Sequence, residues 1–194
     1  MRLNPSRVAV HVIGAGCLLW IVGWYLSGAL MIPERYIILR SGTLGLLFLV
    51  ASLACTPVRR VTGWMGVSQL RRPLGLYGFV FVLLHFGVYA LFENGLDPYL
   101  IWRDLGERRA MPLGIAALLL LTPLAITSTR GWQRRLGRRW RMLHWLVYPA
   151  AILSVWHYLW LDRDFKTVPQ FYAAVVGLLL LTRLPWLRRQ LFRV

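Results

Sequence analysis

Long apolar runs broken by short arginine-bearing segments fill this chain of 194 residues. A helix that crosses a bilayer needs about 20 mostly apolar residues. Six stretches come near that length: residues 8–30, 38–58, 74–92, 112–128, 142–161 and 168–186. The fourth is short, at about 17 residues, the lower end of the spanning range. The first follows Arg2 and Arg7. It exceeds the apolar core of about 7–15 residues typical of a signal peptide, and no small-x-small cleavage pattern ends it, so it is expected to remain as a helix. Trp64, Trp132, Trp140, Trp145, Tyr158, Trp160 and Trp186 gather near span ends, where aromatic belts sit at headgroup depth. The pattern predicts an all-α integral membrane protein, a six-transmembrane-helix bundle forming one domain over residues 1–194.

Charge gives the orientation. With the N-terminus inside, the cytoplasmic segments carry Arg2, Arg7, Arg59, Arg60, Arg71, Arg72, Arg130, Arg134, Arg135, Arg138, Arg139, Arg141, Arg183, Arg188, Arg189 and Arg193, and no acid. The opposite face carries Arg35, Arg40, Arg103, Arg108, Arg109, Arg163 and Lys166 together with all 7 acids of the chain: Glu34, Glu93, Asp97, Asp104, Glu107, Asp162 and Asp164. This is the positive-inside distribution. It places both termini in the cytoplasm and requires an even number of spans. Five or seven spans would scatter the segregation.

Composition agrees with a lipid environment. Hydrophobic residues make up 58% and charged residues 15% of the chain, with a mean hydropathy of +0.55. Soluble domains are nearer 45–50% apolar and about a quarter charged. The net charge of +16 would suggest nucleic acid on a soluble protein, but here the arginines lie between apolar runs and read as topogenic, so no nucleic-acid partner is expected. Cys17 and Cys55 lie inside apolar runs without metal-ligand or disulfide spacing, and read as small packing residues. No P-loop or dinucleotide fingerprint is present. Any electron donor is therefore a separate molecule or a lipid-soluble one.

Chemistry rests on four histidines, His11, His85, His144 and His157, all in or at the ends of apolar runs. A single intramembrane histidine is most simply a residue bonded to a neighbouring helix. Four in one small bundle, with no carboxylate inside the spans, point elsewhere, because proton relays use intramembrane Asp or Glu. Haem uses neutral imidazoles from facing helices. Depth selects the pair. At 1.5 Å rise per residue, His85 lies about 12 Å below Glu93 and His157 about 8 Å below Asp162, whereas His144 lies about 27 Å below Asp162. His85 and His157 are thus the expected axial ligands of a haem iron in the outer half. His144 and His11 share the inner half, where they would ligate a second haem iron or line a quinone pocket. His144 and His157 are 13 residues apart, which on an ideal helix turns them about 140° from each other. Pro149 between them is able to kink or overwind the helix. Gly75, Gly78 and Gly87 offer close approach, either to a flat cofactor or to another helix. The inner Arg71, Arg72, Arg138 and Arg139 could pair with propionates, quinone head groups or lipid phosphates, although topogenic charge explains them as well.

Several segments resemble the MsrQ (formerly YedZ) family. They are Leu124-Ala-Ile-Thr-Ser-Thr-Arg, then Leu136-Gly-Arg-Arg-Trp-Arg-Met-Leu-His144, then Tyr148 and His157-Tyr-Leu-Trp. Arg71-Arg-Pro-Leu-Gly-Leu leading to Leu84-His85 and Tyr89 belongs to the same likeness. It covers nearly the whole chain and is strongest from Arg71 to Trp160. It implies the haem-binding membrane subunit of a protein-methionine-sulfoxide reductase system, in the bacterial inner (cytoplasmic) membrane. The subunit would hold haem b and, as a family cofactor to which no residue here is assigned, FMN. It would pass electrons from the quinone pool to MsrP, a periplasmic molybdopterin enzyme, and carry no sulfoxide-reducing site of its own. Larger relatives in the ferric-reductase-like group place two histidines on the third helix and two on the fifth. Here the position 14 residues before His85 is Arg71, which cannot ligate iron, so His144 lacks its usual partner.

Two other functions fit the same residues. One is the transmembrane haem subunit of a ferric or other metal reductase fed by a cytoplasmic flavin reductase. The other is a non-redox transporter or scaffold whose histidines only pack.

Overall fold

The computed structural model describes residues 5–161 and 167–183. Every regular element among them is helical. Arg2, Asp162, Arg163, Asp164, Lys166, Trp186, Arg188, Arg189 and Arg193 lie outside the described residues. The long helices are α1 (Pro5–Leu26), α2 (Pro33–Thr62) and α3 (Arg71–Val88), the last extended by a π-helical turn over Tyr89–Glu93. After them come α4 (Pro98–Glu107), α5 (Met111–Ile126), α6 (Arg130–Leu136), α7 (Arg138–Leu143), α8 (Val147–Leu161) and α9 (Thr167–Leu181).

Local chemistry sets the breaks. Pro33 opens α2 in its first turn, and Gly63, at φ 67°, ends it with its N–H on the Arg59 carbonyl. Only glycine takes that left-handed conformation cheaply. Asp97 caps α4 by accepting the Tyr99 N–H at 2.8 Å, with Pro98 at the first helical position. Thr129 caps α6 in the same way. The stretch expected as one helix over 142–161 is divided. His144–Leu146 form a 3-10 segment, and α8 starts only at Val147. Pro149 lacks the N–H that a continuous α-helix would need at that point, and the chain is overwound just before it.

Among the described residues three stretches are long and apolar enough to cross a membrane unaided: Pro5–Leu26, Pro33–Thr62 and Met65–Glu93. Counting the bent pair α4 and α5, which meet at 117°, makes up to four. The helices over the last two expected spans, α8 and α9, have 15 residues each and rise only about 22 Å. Leu19, Leu119, Phe171 and Leu178 are each more than 60% exposed, on helices with no charged residue within their apolar runs. Such a girdle of exposed large apolar side chains suits lipid rather than water.

The helices pack mainly as two antiparallel pairs, α2 with α3 and α5 with α8. At the α2–α3 crossing Gly45 and Gly78 bring the backbones together: a Cβ on Gly78 would lie 3.2 Å from the Gly45 carbonyl oxygen and from the Leu49 nitrogen. Gly78 therefore serves helix packing. Gly75 lies near the Ser52 hydroxyl, and Gly87 faces open space. One apolar core joins Leu46, Leu49, Val50 and Leu53 of α2 to α5, α8 and α9, with Ala150 and Ala151 fully buried. A second joins Ile21, Ile37 and Phe48 to Phe81 and Val88 of α3.

Candidate functional site

The two helix pairs bring His85 and His157 together. Their ring centres are 6.1 Å apart and their planes stand at 89°. His85, on α3, has Nδ1 at 2.8 Å from the carbonyl oxygen of Ile38 on α2. His157, on α8, has Nδ1 at 2.7 Å from the carbonyl oxygen of Ala110, just before α5. A carbonyl only accepts, so each Nδ1 must carry the proton and donate it. Each Nε2 is then left with its lone pair. This is the tautomer that metal-ligating histidines adopt when a carbonyl orients them.

The two halves repeat one design. In both, the histidine lies 47 residues after the carbonyl it binds. In both, a glycine four residues after that carbonyl lies against the imidazole. A Cβ on Gly42 would come 2.9 Å from Nδ1 of His85, and one on Gly114 would come 2.8 Å from Nδ1 of His157. Neither glycine carried weight in the sequence reading. The signal that would have found them is the shared glycine-to-histidine spacing, which an internal comparison of the two halves exposes.

The spacing suits an iron with two imidazole ligands. Two metal–nitrogen bonds of about 2 Å and a ring radius of roughly 1 Å at each end put the ring centres about 6 Å apart. The residues present therefore fit a bis-histidine haem.

His144 stands in a different environment. Its ring lies 3.9 Å from that of Trp140, at 30°. Its Nδ1 is 3.1 Å from the carbonyl of Trp140, one turn back in its own segment. Trp140 in turn donates its indole N–H to the Thr127 carbonyl at 2.9 Å, so it is more than a belt residue. His11 is exposed on α1 and engages Tyr77 of α3: the rings lie 5.7 Å apart, and the Tyr77 hydroxyl donates to the His11 carbonyl at 3.2 Å.

Arginines converge at this same end. Arg71 donates to the Thr56 hydroxyl, while its own carbonyl accepts from Ser52 at 2.8 Å. Arg60 reaches the Thr182 carbonyl. Arg183 donates to the Leu53 carbonyl at 2.8 Å and lies over the Tyr148 ring. The end nearer His85 and His157 holds Glu93 and Asp104. There Tyr89 donates its hydroxyl to the buried Asp104, which pairs with Arg108 at 3.3 Å, and Arg108 reaches Glu93 at 3.1 Å.

Comparison with known proteins follows the same lines. Residues 41–155 match the family described as ferric reductase like transmembrane component. A relative from Rhodospirillum rubrum is 43% identical over 97% of this chain and 92% of its own length; it is named protein-methionine-sulfoxide reductase heme-binding subunit MsrQ. Proteins of the same name from Ralstonia nicotianae and Bordetella parapertussis are 42% and 38% identical, each over 81% of this chain and over 74% and 78% of their own lengths. No solved structure matches.

Proposed function

This chain belongs to the MsrQ family of ferric-reductase-like transmembrane proteins, and on that premise we propose that it is the haem-binding electron-transfer subunit of a protein-methionine-sulfoxide reductase system. In this reading six spans, α1, α2, α3, α5, α8 and α9, cross the bacterial inner membrane with both termini in the cytoplasm. The segregation of acids to one end supports that topology. His85 and His157 hold haem b near the periplasmic face. Electrons come from the quinone pool and leave to a periplasmic molybdoenzyme of the MsrP kind. No residue of this chain is assigned to FMN.

The observation that carries the reading is the pair of imidazoles 6.1 Å apart, each with Nδ1 tied to a carbonyl of another segment, on α2 or at the start of α5. Haem b, when bound there, supplies reversible one-electron exchange. The chain's own residues do the rest. The carbonyls of Ile38 and Ala110 fix the tautomers and leave both Nε2 lone pairs free to ligate. They also make the imidazoles more basic ligands. Gly42 and Gly114 leave the rings room to stand upright. His85 and His157 would both be taken up in holding the haem, which would supply electron exchange rather than sulfoxide binding. Substrate chemistry thus belongs to the partner. His144 is a weaker candidate for a second iron, because it has Trp140 against its face and Arg71 where relatives place a histidine.

The test is direct. Purified protein from cells supplied with haem precursor should show a dithionite-reduced haem b spectrum with about one haem per chain. A colourless preparation would overturn the reading. A second reading draws on the family description itself: a metal reductase subunit fed by a cytoplasmic flavin reductase. Reduction of the haem by quinol supports the first. Reduction only by NADH with a flavin reductase supports the second.

A further inference from the structure

At the acid-bearing end one carboxylate is sealed inside the protein. The Asp104 side chain is 3% exposed, although it sits on α4, a helix whose Tyr99 and Trp102 face outward at 70% and 75%. A buried carboxylate is costly unless it is paired and hydrogen-bonded. Asp104 meets both conditions, and its two partners lead to the two histidines.

The first branch runs through Tyr89, which is itself buried. Its hydroxyl donates to Asp104. Its backbone N–H bonds to the His85 carbonyl, one turn back on α3. The second branch runs through Arg108, whose Nε lies 3.3 Å from the Asp104 carboxylate. The Arg108 N–H bonds the Asp104 carbonyl at 2.9 Å, and the Met111 N–H bonds the Arg108 carbonyl at 2.9 Å. This tight turn carries Ala110, whose carbonyl receives both the Gly114 N–H and Nδ1 of His157. Arg108 also reaches Glu93, at the end of the π-helical turn that begins at Tyr89. One carboxylate thus ties the turn above one imidazole to the turn that orients the other.

We propose that Asp104 is a positioning residue for the iron pair: through Tyr89 and the Arg108–Ala110 turn it sets the distance and mutual angle of the His85 and His157 rings. The proposal rests on the haem reading above. Asp104 touches neither ring, so its effect is carried by geometry and by its fixed negative charge. Covalent and hydrogen-bonded partners beyond the ligands orient the ligands and tune the metal.

The experiment uses the full-length, haem-loaded protein and compares Tyr89→Phe, Asp104→Asn, the double variant and Glu107→Gln. Glu107 is the control, an exposed acid of α4 that pairs with Arg103 at 3.6 Å. The readouts are haem per chain, the low-spin electron paramagnetic resonance spectrum, which responds to the angle between the two imidazole planes, and the midpoint potential. Tyr89→Phe and Asp104→Asn should keep the protein helical and change the spectrum. Asp104→Asn should also raise the potential, because a buried negative charge is lost. The effects of the two single variants should not add in the double variant, since the Tyr89 bond is one of the two links that run through Asp104. Glu107→Gln should match the parent. Loss of haem from a still-helical Tyr89→Phe, with Glu107→Gln fully loaded, supports the proposal in its stronger form. Parent-like spectrum and potential in haem-loaded Tyr89→Phe and Asp104→Asn overturn it. So does an equal shift from Glu107→Gln, which would make the effect one of net charge. A parent protein without haem would instead sink the haem reading and is told apart at once.

Discussion

At one end of the bundle His85 and His157 come from different helix pairs, lie 6.1 Å apart and bond carbonyls of other segments. At the other end His144 bonds the carbonyl of its own preceding turn and rests on Trp140. All three rings have Nδ1 occupied and Nε2 in hand. What differs is where the second partner comes from. A carbonyl on another helix ties the imidazole to the tertiary structure, so its direction is fixed by the packing of α2 on α3 or α5 on α8. A carbonyl in the same turn fixes it only relative to its own helix. The charges differ as well. Acids lie near the first pair, and Arg60, Arg71 and Arg183 lie at the second end, where further positive charge from a ferric iron is disfavoured. Imidazoles with the same Nδ1 arrangement thus have different chemical prospects at the two ends.

The largest effect that would break this comparison is loss of a ligand. His85→Ala or His157→Ala should each abolish haem binding, whereas His144→Ala should leave haem per chain unchanged. Quantitative haem assay on purified protein decides it. Full low-spin haem in His85→Ala would refute the pairing.

Next come the glycines, which test whether the two halves are equivalent. Gly42→Ala and Gly114→Ala each place a methyl within 2.9 Å of an imidazole nitrogen. Ordinary contact needs about half an ångström more, so the ring must tilt off its carbonyl. Outer-shell changes of this kind typically cost about 10–100-fold in metal affinity. Haem titration of the two variants should give losses of similar size. A tenfold disagreement between them would show that the halves are not interchangeable.

The histidine pair was legible in the sequence because helix rise converts residue count into depth, and Glu93 and Asp162 supplied the markers for it. The rest of the site was less so. Gly42 and Gly114 looked like any glycine in an apolar run, and what distinguishes them is a ring from another helix, which no local pattern reports. α4 falls in the stretch between the expected spans 74–92 and 112–128, to which no element was given, although Asp97-Pro98 is a fair capping signal. Its key residue, Asp104, entered the reading only as one of seven acids on a face, since burial of a charge is decided by tertiary partners. The 3-10 break before α8 followed from Pro149, whose backbone consequence is local and therefore readable.

Arg71 gives a smaller effect. Arg71→Ala removes its bond to Thr56 but leaves the Ser52 bond, which goes to the backbone. A loss of about 1 kcal/mol of stability is expected, with haem content unchanged. If haem falls with it, the arginine-bearing end takes part in holding the cofactor, and the contrast between the ends weakens.

The smallest effect belongs to His11. It is exposed, and the Tyr77 hydroxyl reaches its backbone carbonyl at 3.2 Å, a bond that survives truncation of the side chain. What His11→Ala loses is the edge-on ring contact and a 3.3 Å polar contact between Nδ1 and the same hydroxyl. Together these are worth on the order of 1 kcal/mol. α1 stays docked through Gly14, whose missing Cβ admits the Tyr77 ring; a methyl there would lie 2.5 Å from it. Thermal unfolding should therefore show a slight loss of stability for His11→Ala and a larger one for Gly14→Ala, while the haem spectrum stays that of the parent in both. A changed spectrum in His11→Ala would mean that α1 transmits to the iron through Tyr77 and Phe81, which are spaced one turn apart on α3 below His85. It would then make the arginine-bearing end part of the same electronic unit as the histidine pair.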